Sequence, residues 1–571
     1  MLGRRLRNGF RRAFANQSKL IIVGFATLDH SSHWFNELAS FNREGSGLGL
    51  VVRIAVPRST EESLAAALSA DRVLEPLPGM DVNADNFVSQ AITFTDAGIL
   101  QSLRARLDAE NTGERDLIYF PYGHPILIRG IGLWLAKRLP ERRPSVFFRI
   151  VGDELTDLDT GRFKARAAFY RLACADLRTR PGQERVFFLV NSRAKARSVS
   201  RVCGRRPFMM PHHFGRLPAE VMATPAVDPT VYVHLNARSG RLGANLGDII
   251  RRVAAIVPSV RFVIRAPAEL SETVAALEPD VASFVELLPA GQSVPEYFAN
   301  LARCTIVLLA YEAQPYKTLT SGVFTEAASL GKPVVVPGGT WMAEKIAEGY
   351  GVGMVFEDGA AGSVAGVLLD ALQSCEPLGA AARQIAPRVG EETSCRRFIE
   401  GMIALSQTAP DMEPRYHIDD EIDFSNVLDS RFSLREGWGE TEPWGVWTVG
   451  RCAGLTLQLE ADCDGPLILN ALAVAFLGKR NAVCVRVSAA GGQIAEWIFD
   501  TASSGVAQPR WLSALLPWHE GDGSSRVVDI SFEVDAPTSP LAEGLSGDPR
   551  TLGLGLCKMS LQSAVLSQYV T

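Results

Sequence analysis

Residues 317–339 read KTLTSGVFTEAASLGKPVVVPGG, an order of residue types suited to holding a phosphorylated ligand. Thr320, Ser321 and Gly322 open a helix: a hydroxyl caps the first turn, and the glycine leaves its unpaired amides uncovered by a side chain. Those N–H groups and the positive end of the helix dipole attract a phosphate, and Lys317 just upstream adds a point charge. Glu326 follows about one turn into the helix, where a carboxylate can accept hydrogen bonds from two neighbouring hydroxyls such as those of a ribose. Gly331 ends the helix and Pro333 prevents its resumption, so Val334, Val335 and Val336 enter a sheet before a second bare turn at Gly338 and Gly339. The chemistry expected of this run is a clasp for a nucleoside diphosphate. An ordinary capped helix with a solvated glutamate has the same local pattern.

Other groups fall at the carboxyl ends of apolar runs. Gly123-His124-Pro125 follows DLIYFPY and places His124 towards a cleft. Arg265 ends RFVIR, and Arg149, Asp153 and Glu154 end SVFFRIVGDE, where they suit hydroxyl binding or capping of the next helix. His212 and His213 have no carboxylate or third histidine at a ligand spacing, so no zinc site is expected. Asp157-Leu158-Asp159 has the spacing of a metal-binding DxD, a pattern equally common in polar loops, and no metal is assigned to it.

These groups need strands to carry them. KLIIVGFA, GLGLVVRIAVP, DLIYFPYGHP, SVFFRIVGDE and RVFFLVNS alternate with segments of helical length and period, which predicts a parallel sheet covered on both faces. After the proline-bearing stretch 217–230 a second set follows: TVYVHLNARSG, VRFVIRAP, FVELLP, TIVLLAYE and KPVVVPGG. Two doubly wound Rossmann-like domains are expected, at 19–216 and 230–407, with ligands in the cleft between their strand ends. From about 415 the text changes to alternating runs such as GLTLQLEAD, AVCVRVSA and VVDISFEVD, divided by turn residues. That period predicts an all-β sandwich or jelly roll over 415–571. Its tryptophans, including three in GWGETEPWGVWTVG, suit either a glycine-rich core or the stacking of sugar rings.

The 571 residues exceed one core at about 150 residues per domain, and 47% hydrophobic with 21% charged residues is enough apolar material for several. A formal charge of -5 gives no sign of a nucleic-acid partner. Nine scattered cysteines without a CxxC pair argue against a disulfide framework and for a reducing cytoplasm. The start, MLGRRLRNGFRRAFANQS, has a basic head but neither the apolar core nor the cleavage site of an export signal. Leu2, Leu6, Phe10 and Phe14 share one helical side among arginines, so residues 1–18 read as a peripheral anchor to the anionic inner face of a membrane or as a solvated leader.

SGVFTEAASLGKPVVVPGG resembles the signature of the group-1 (GT4-like) family of retaining GT-B glycosyltransferases, in which a Ser/Gly helix start precedes E-A-x-x-x-G-x-P-V-V; the order of elements agrees over residues 19–407. The resemblance implies a UDP- or GDP-sugar donor on the second domain, a glycan or lipid-linked acceptor mainly on the first, and no metal or other cofactor. It implies that Glu326 binds the ribose, that the amides of Ser321, Gly322 and Val323 meet the distal phosphate, and that His124 approaches the donor sugar. Arg238 stands where the family carries a cation for the departing diphosphate, and Lys317, Arg241 or Arg265 supplies the second charge. The family also places a glutamate eight residues before the ribose-binding one, and here that position is Thr318. Glu312 is the substitute carboxylate if its loop folds back. The alternative to a transferase is a non-catalytic sugar-nucleotide or glycan-binding protein on the same scaffold; a sugar-nucleotide epimerase is disfavoured by the extra β-domain.

Overall fold

The computed structural model describes residues 18–25, 33–75, 97–151, 155, 165–213, 229–236, 238–267, 270, 274, 277–289, 292–408, 416, 418, 421–425, 434–459, 466–500, 502–503, 505–516 and 526–564. Residues 1–17, Asp153, Glu154 and the Asp157–Asp159 pair lie outside them, as does the side chain of Arg241. The chain forms two compact units, the first made of 1–155, 164–196 and 207–410, the second of 156–163, 197–206 and 411–571.

The first unit holds two parallel sheets. One contains β1 (Lys19–Val23), β2 (Val51–Pro57), β3 (Ala70–Leu74), β4 (Leu117–Phe120), β5 (Ser145–Arg149), β6 (Val186–Val190) and β7 (Phe208–Met209), in the order β3-β2-β1-β4-β5-β6-β7. The central strands β4, β5 and β6 are buried along their whole length, as strands covered on both faces must be. Between them run α1 (His33–Gly47), α2 (Glu62–Leu68), α3 (Ala97–Ala109), α4 (Pro125–Ala136), α5 (Ala165–Arg178) and α6 (Arg193–Cys203). The edge strands β3 and β7 are additions to the five strands expected. ADRVL carries two charges and Phe208–Met209 is only two residues long, so neither forms an apolar run.

The second sheet contains β8 (Thr230–His234), β9 (Arg261–Arg265), β10 (Val285–Leu287), β11 (Ile306–Leu309), β12 (Val334–Pro337) and β13 (Gly353–Phe356), in the order β10-β9-β8-β11-β12-β13. Its helices are α7 (Gly240–Ala244), α8 (Leu246–Ile256), α9 (Pro279–Ala282), α10 (Val294–Ala302), α11 (Ala313–Tyr316), α12 (Gly322–Ser329), α13 (Trp341–Ala347), α14 (Ala361–Gln373) and α15 (Cys375–Glu392). A last helix, α16 (Cys395–Leu405), leaves this domain and packs on α1, where Phe398, Ile399 and Met402 join the core of the first sheet. Both sheets reverse their winding once, between β1 and β4 and between β8 and β11, and a reversal of this kind opens a crevice at the strand ends. The expected pair of Rossmann-like domains is present.

The second unit is antiparallel, as the alternating text predicts. It contains β14 (Glu421–Asp423), β15 (Trp438–Glu442), β16 (Gly445–Val449), β17 (Cys452–Leu459), β18 (Leu467–Ala475), β19 (Val483–Ala489), β20 (Gly492–Phe499), β21 (Ala502–Ser503), β22 (Val506–Ala507), β23 (Arg510–Leu516), β24 (Arg526–Val534) and β25 (Leu552–Ser563). The main sheets are β15-β16-β25-β18-β23, with β14 on β25, and β17-β24-β19-β20. Leu455, Leu457, Val485, Val487, Phe532 and Leu556 lie in a common core, fed by every second residue of β17 and β19. Trp447 and Trp497 are buried in this unit, as a tryptophan-filled core requires, whereas Trp511 is 54% exposed on β23.

Candidate functional site

The loops after β8 and β11 flank the winding reversal of the second sheet, and most of the predicted groups stand on them or beside them. Ser321 caps α12, its Oγ accepting from the Phe324 amide at 3.2 Å, and the helix ends through Leu330 with Gly331 at φ +67°. The helix start therefore has the capped form expected, with Gly322 as the first helical residue and Val323 next.

Glu326 turns to a neighbouring helix rather than to bulk solvent. Its Oε2 accepts a short hydrogen bond from the Tyr297 hydroxyl on α10. Arg265, at the end of β9, stacks over the same tyrosine ring with its guanidinium 5.3 Å from the centroid. Burial raises the Glu326 pKa, while the Tyr297 hydrogen bond and the Arg265 charge act in the opposite direction. Arg265, Tyr297 and Glu326 thus form one polar cluster, two members of which were singled out in the sequence. Tyr297 was not, because a tyrosine inside an apolar helix carries no mark of its partner.

The β8 loop makes a second cluster. Asn236 donates through Nδ2 to the Tyr316 hydroxyl at 2.8 Å and accepts from the Arg238 amide at 2.8 Å. Tyr316 stacks on Tyr311 at 4.5 Å, and the Arg238 charge acts on the Tyr316 hydroxyl. The Glu312 amide donates to the Arg238 carbonyl at 3.1 Å, and the Glu312 carboxylate lies where a Cβ at Gly240 would stand. These contacts tie the loop after β11 to the backbone that carries Arg238. Lys317 follows Tyr316 as the cap of α11. His124 caps α4 in the first domain, its Nδ1 accepting from the Ile126 amide at 3.3 Å at the carboxyl edge of the sheet. Arg149 is instead buried, bonded to Glu37 at 3.0 Å and 3.2 Å, which removes it from hydroxyl binding.

His234, at the end of β8, is 6% exposed, meets the Tyr311 ring edge-on at 6.0 Å, and has a buried Nδ1 with no hydrogen-bond partner among the described residues. Burial first, and then the Arg265 charge, push its pKa down to about 3. The unfolded chain protonates this histidine near its ordinary value of about 6.5 and the folded one does not. Its contribution to stability is therefore complete above that pH and is lost progressively towards about 3. Melting temperatures should fall less steeply between pH 7 and pH 4 in His234→Phe than in the wild type; parallel slopes would refute this assignment of the acid limb.

The two domains meet at the clasp. Ser192, after β6, donates to the Thr318 carbonyl at 2.8 Å; Asn191 donates to Thr320 Oγ1 at 2.8 Å; Trp341 donates to the Asn191 carbonyl at 3.1 Å. Thr318 itself is 1% exposed. A cavity of about 600 Å³ is lined by His212, Phe324, Thr325, Trp341, Lys345 and Arg397 among others. Sequence reasoning missed Asn191 and Ser192, although their position just past a buried strand was a usable signal. Among the described residues no group of three His, Cys, Asp or Glu side chains is gathered for a metal, and no helix is long and apolar enough to cross a membrane.

No family model matches the chain, and no curated protein matches it. Among solved structures it is similar to TarM, at 10% identity and a TM-score of 0.49 over 68% of this chain and 99% of that one. It is also similar to the pneumococcal O-GlcNAc transferase GtfA, in complex with UDP and GlcNAc, at 9% identity and 0.47 over 68% and 99%. A glycosyltransferase from Rickettsia africae is similar at 10% identity and 0.45 over 69% and 100%.

Proposed function

We propose that the chain is a glycosyltransferase that moves a sugar from a UDP- or GDP-linked donor to a glycan or lipid-linked acceptor with retention of configuration. The observation that carries this reading is the α12 first turn, on the segment that follows β11 beside the winding reversal of the second sheet, together with the Arg265–Tyr297–Glu326 cluster formed by the end of β9 and helices α10 and α12. Glu326 accepts the ribose hydroxyls, and the amides of Ser321, Gly322 and Val323 hold the distal phosphate. Arg238 and Lys317 balance the charge of the departing diphosphate, and His124 faces the donor sugar from the first domain. The bond between the anomeric carbon and the diphosphate breaks and the acceptor oxygen bonds to that carbon on the same face. The acceptor proton leaves with the diphosphate, so neither a metal nor a protein nucleophile enters the scheme. The reaction is assigned to the cytoplasm, with residues 1–18 resting on an anionic membrane surface.

Calorimetry with UDP and GDP tests the nucleotide site. Glu326→Ala is expected to weaken the bound nucleotide by about 1–3 kcal/mol, one or two hydrogen bonds' worth; unchanged affinity would refute the assignment. Hydrolysis and transfer assays with a panel of UDP- and GDP-sugars test turnover. A second reading, a sugar-nucleotide binder without turnover, is favoured by the burial of Thr318 at the position of the family's carboxylate, and donor binding with no product would select it.

A further inference from the structure

The two sheets of the antiparallel unit turn outward faces of different chemistry. On the sheet of β17, β24, β19 and β20 the outward groups close on one another: Arg451 and Arg486 bind Glu533 at 2.8 Å and 2.9 Å, and Thr456 bonds to Asp529. On the other sheet, register sets the outward residues of β23, β18 and β25 in rows. Trp511 pairs with Leu472, and Leu472 with Lys558. Ser513, Asn470 and Ser560 make the next row, and Leu515, Ile468 and Gln562 the third. Rows two residues apart along a strand stand roughly 7 Å from one another.

Trp511 and Leu515 are 54% and 59% exposed, and a polar line runs between them. Ser513 Oγ donates to Asn470 Oδ1 at 2.6 Å, and Asn470 Nδ2 donates to Gln562 Oε1 at 3.0 Å. An amide nitrogen carries two hydrogens and an amide oxygen two lone pairs, so the line keeps donors and acceptors to offer. The platform is also held from behind, because the buried Trp497 donates through Nε1 to the Ser513 carbonyl at 3.4 Å. A rigid surface loses little freedom when a ligand settles on it.

The chemistry of the face selects among occupants. Lys558 is bound to Glu421 at 2.7 Å, so its charge is balanced and the face does not suit an anionic lipid or a nucleic acid. A stable contact with a second copy buries about 800 Å² per partner around an apolar centre, whereas here a polar row separates Trp511 from Leu515. A sugar chain needs this mixture: its C–H faces lie against an aromatic ring, and its hydroxyls, each donor and acceptor, meet amides and serine hydroxyls. We propose that the outward face of β23, β18 and β25 binds a neutral glycan chain, with Trp511 stacked on one sugar ring and Ser513, Asn470 and Gln562 bonded to the hydroxyls of its neighbour. The site goes beyond the nucleotide reading and does not depend on it, since no group of the first unit enters it.

Affinity electrophoresis of the full chain in native gels containing dextran, glucomannan, galactomannan or hydroxyethyl cellulose tests the site. At least one of these neutral polymers should retard the wild type. Trp511→Ala should bind that polymer roughly tenfold more weakly, Trp511→Tyr should recover part of the loss, and Asn470→Ala should weaken binding independently. Retardation that is absent from every gel, or equal in wild type and both alanine variants, would overturn the proposal. A dimer in sedimentation that Trp511→Ala dissolves, with no effect of any polymer, would make the face a contact between copies and overturn it as well, as would binding to phosphatidylglycerol vesicles alone. Retardation that depends on Trp511 in a protein that binds neither UDP nor GDP would keep this site and remove the nucleotide reading; nucleotide binding without retardation would do the reverse.

Discussion

Glu37→Ala is expected to destabilise the first domain by about 3–5 kcal/mol, because it leaves a buried guanidinium without its counter-charge. Glu37 is 5% exposed and Arg149 6%; the contact of Arg149 Nη1 with both carboxylate oxygens is joined by the Tyr119 hydroxyl at 3.4 Å and by His213 Nε2 at 3.0 Å. Burial drives the Tyr119 hydroxyl to a raised pKa, and the nearby Glu37 charge adds to it, so the phenol stays neutral and donates. A second variant separates charge from packing. Glu37→Leu with Arg149→Met removes both ions and should recover much of the loss, since buried ion pairs exchange for apolar groups at little net cost. Denaturant melts of the single and double variants decide the matter, and equal stability of Glu37→Ala and wild type would remove the ion pair from any structural role.

Thr318→Glu is expected to lower stability by several kcal/mol rather than to place a working carboxylate at this turn. The Thr318 side chain is packed inside, its Oγ1 3.4 Å from the Pro315 carbonyl, and its own carbonyl is held by Ser192 across the domain boundary. A longer, charged side chain there must be buried or must break the Ser192 contact to escape. Thr318→Val, which keeps the shape and drops the hydroxyl, should cost about 1 kcal/mol. Thermal melts read both effects. A Thr318→Glu variant that is as stable as wild type would show that the turn opens easily and that the packing of Thr318 is not needed.

The local parts of the site were legible and the tertiary ones were not. The Ser321 cap, the Gly322 start and the Gly331 stop are fixed by backbone chemistry within a few residues, so the text alone placed them. Whether Glu326 faced water or protein depended on Tyr297, a residue on another helix, and no helical period announces such a meeting. His212 was read only against metal-ligand spacings, yet it reaches across to Thr320 and Gly322 because two sheets far apart in sequence bring their strand ends together. The parallel sheets were visible through their continuous apolar strands, whereas the charged edge strand β3 and the two-residue β7 fell below any pattern.

The return of α16 to the first sheet has a consequence for exchanging modules with other two-domain proteins of this architecture. Phe398, Ile399 and Met402 belong to the core that Leu20, Ile22 and Phe41 form, although they follow the whole second lobe in sequence. A chimera that transplants residues 230–407 as a block would carry off part of its neighbour's interior. A graft that ends at Glu392 leaves each interior whole, so the workable seam between the lobes lies before Cys395 rather than after Leu405.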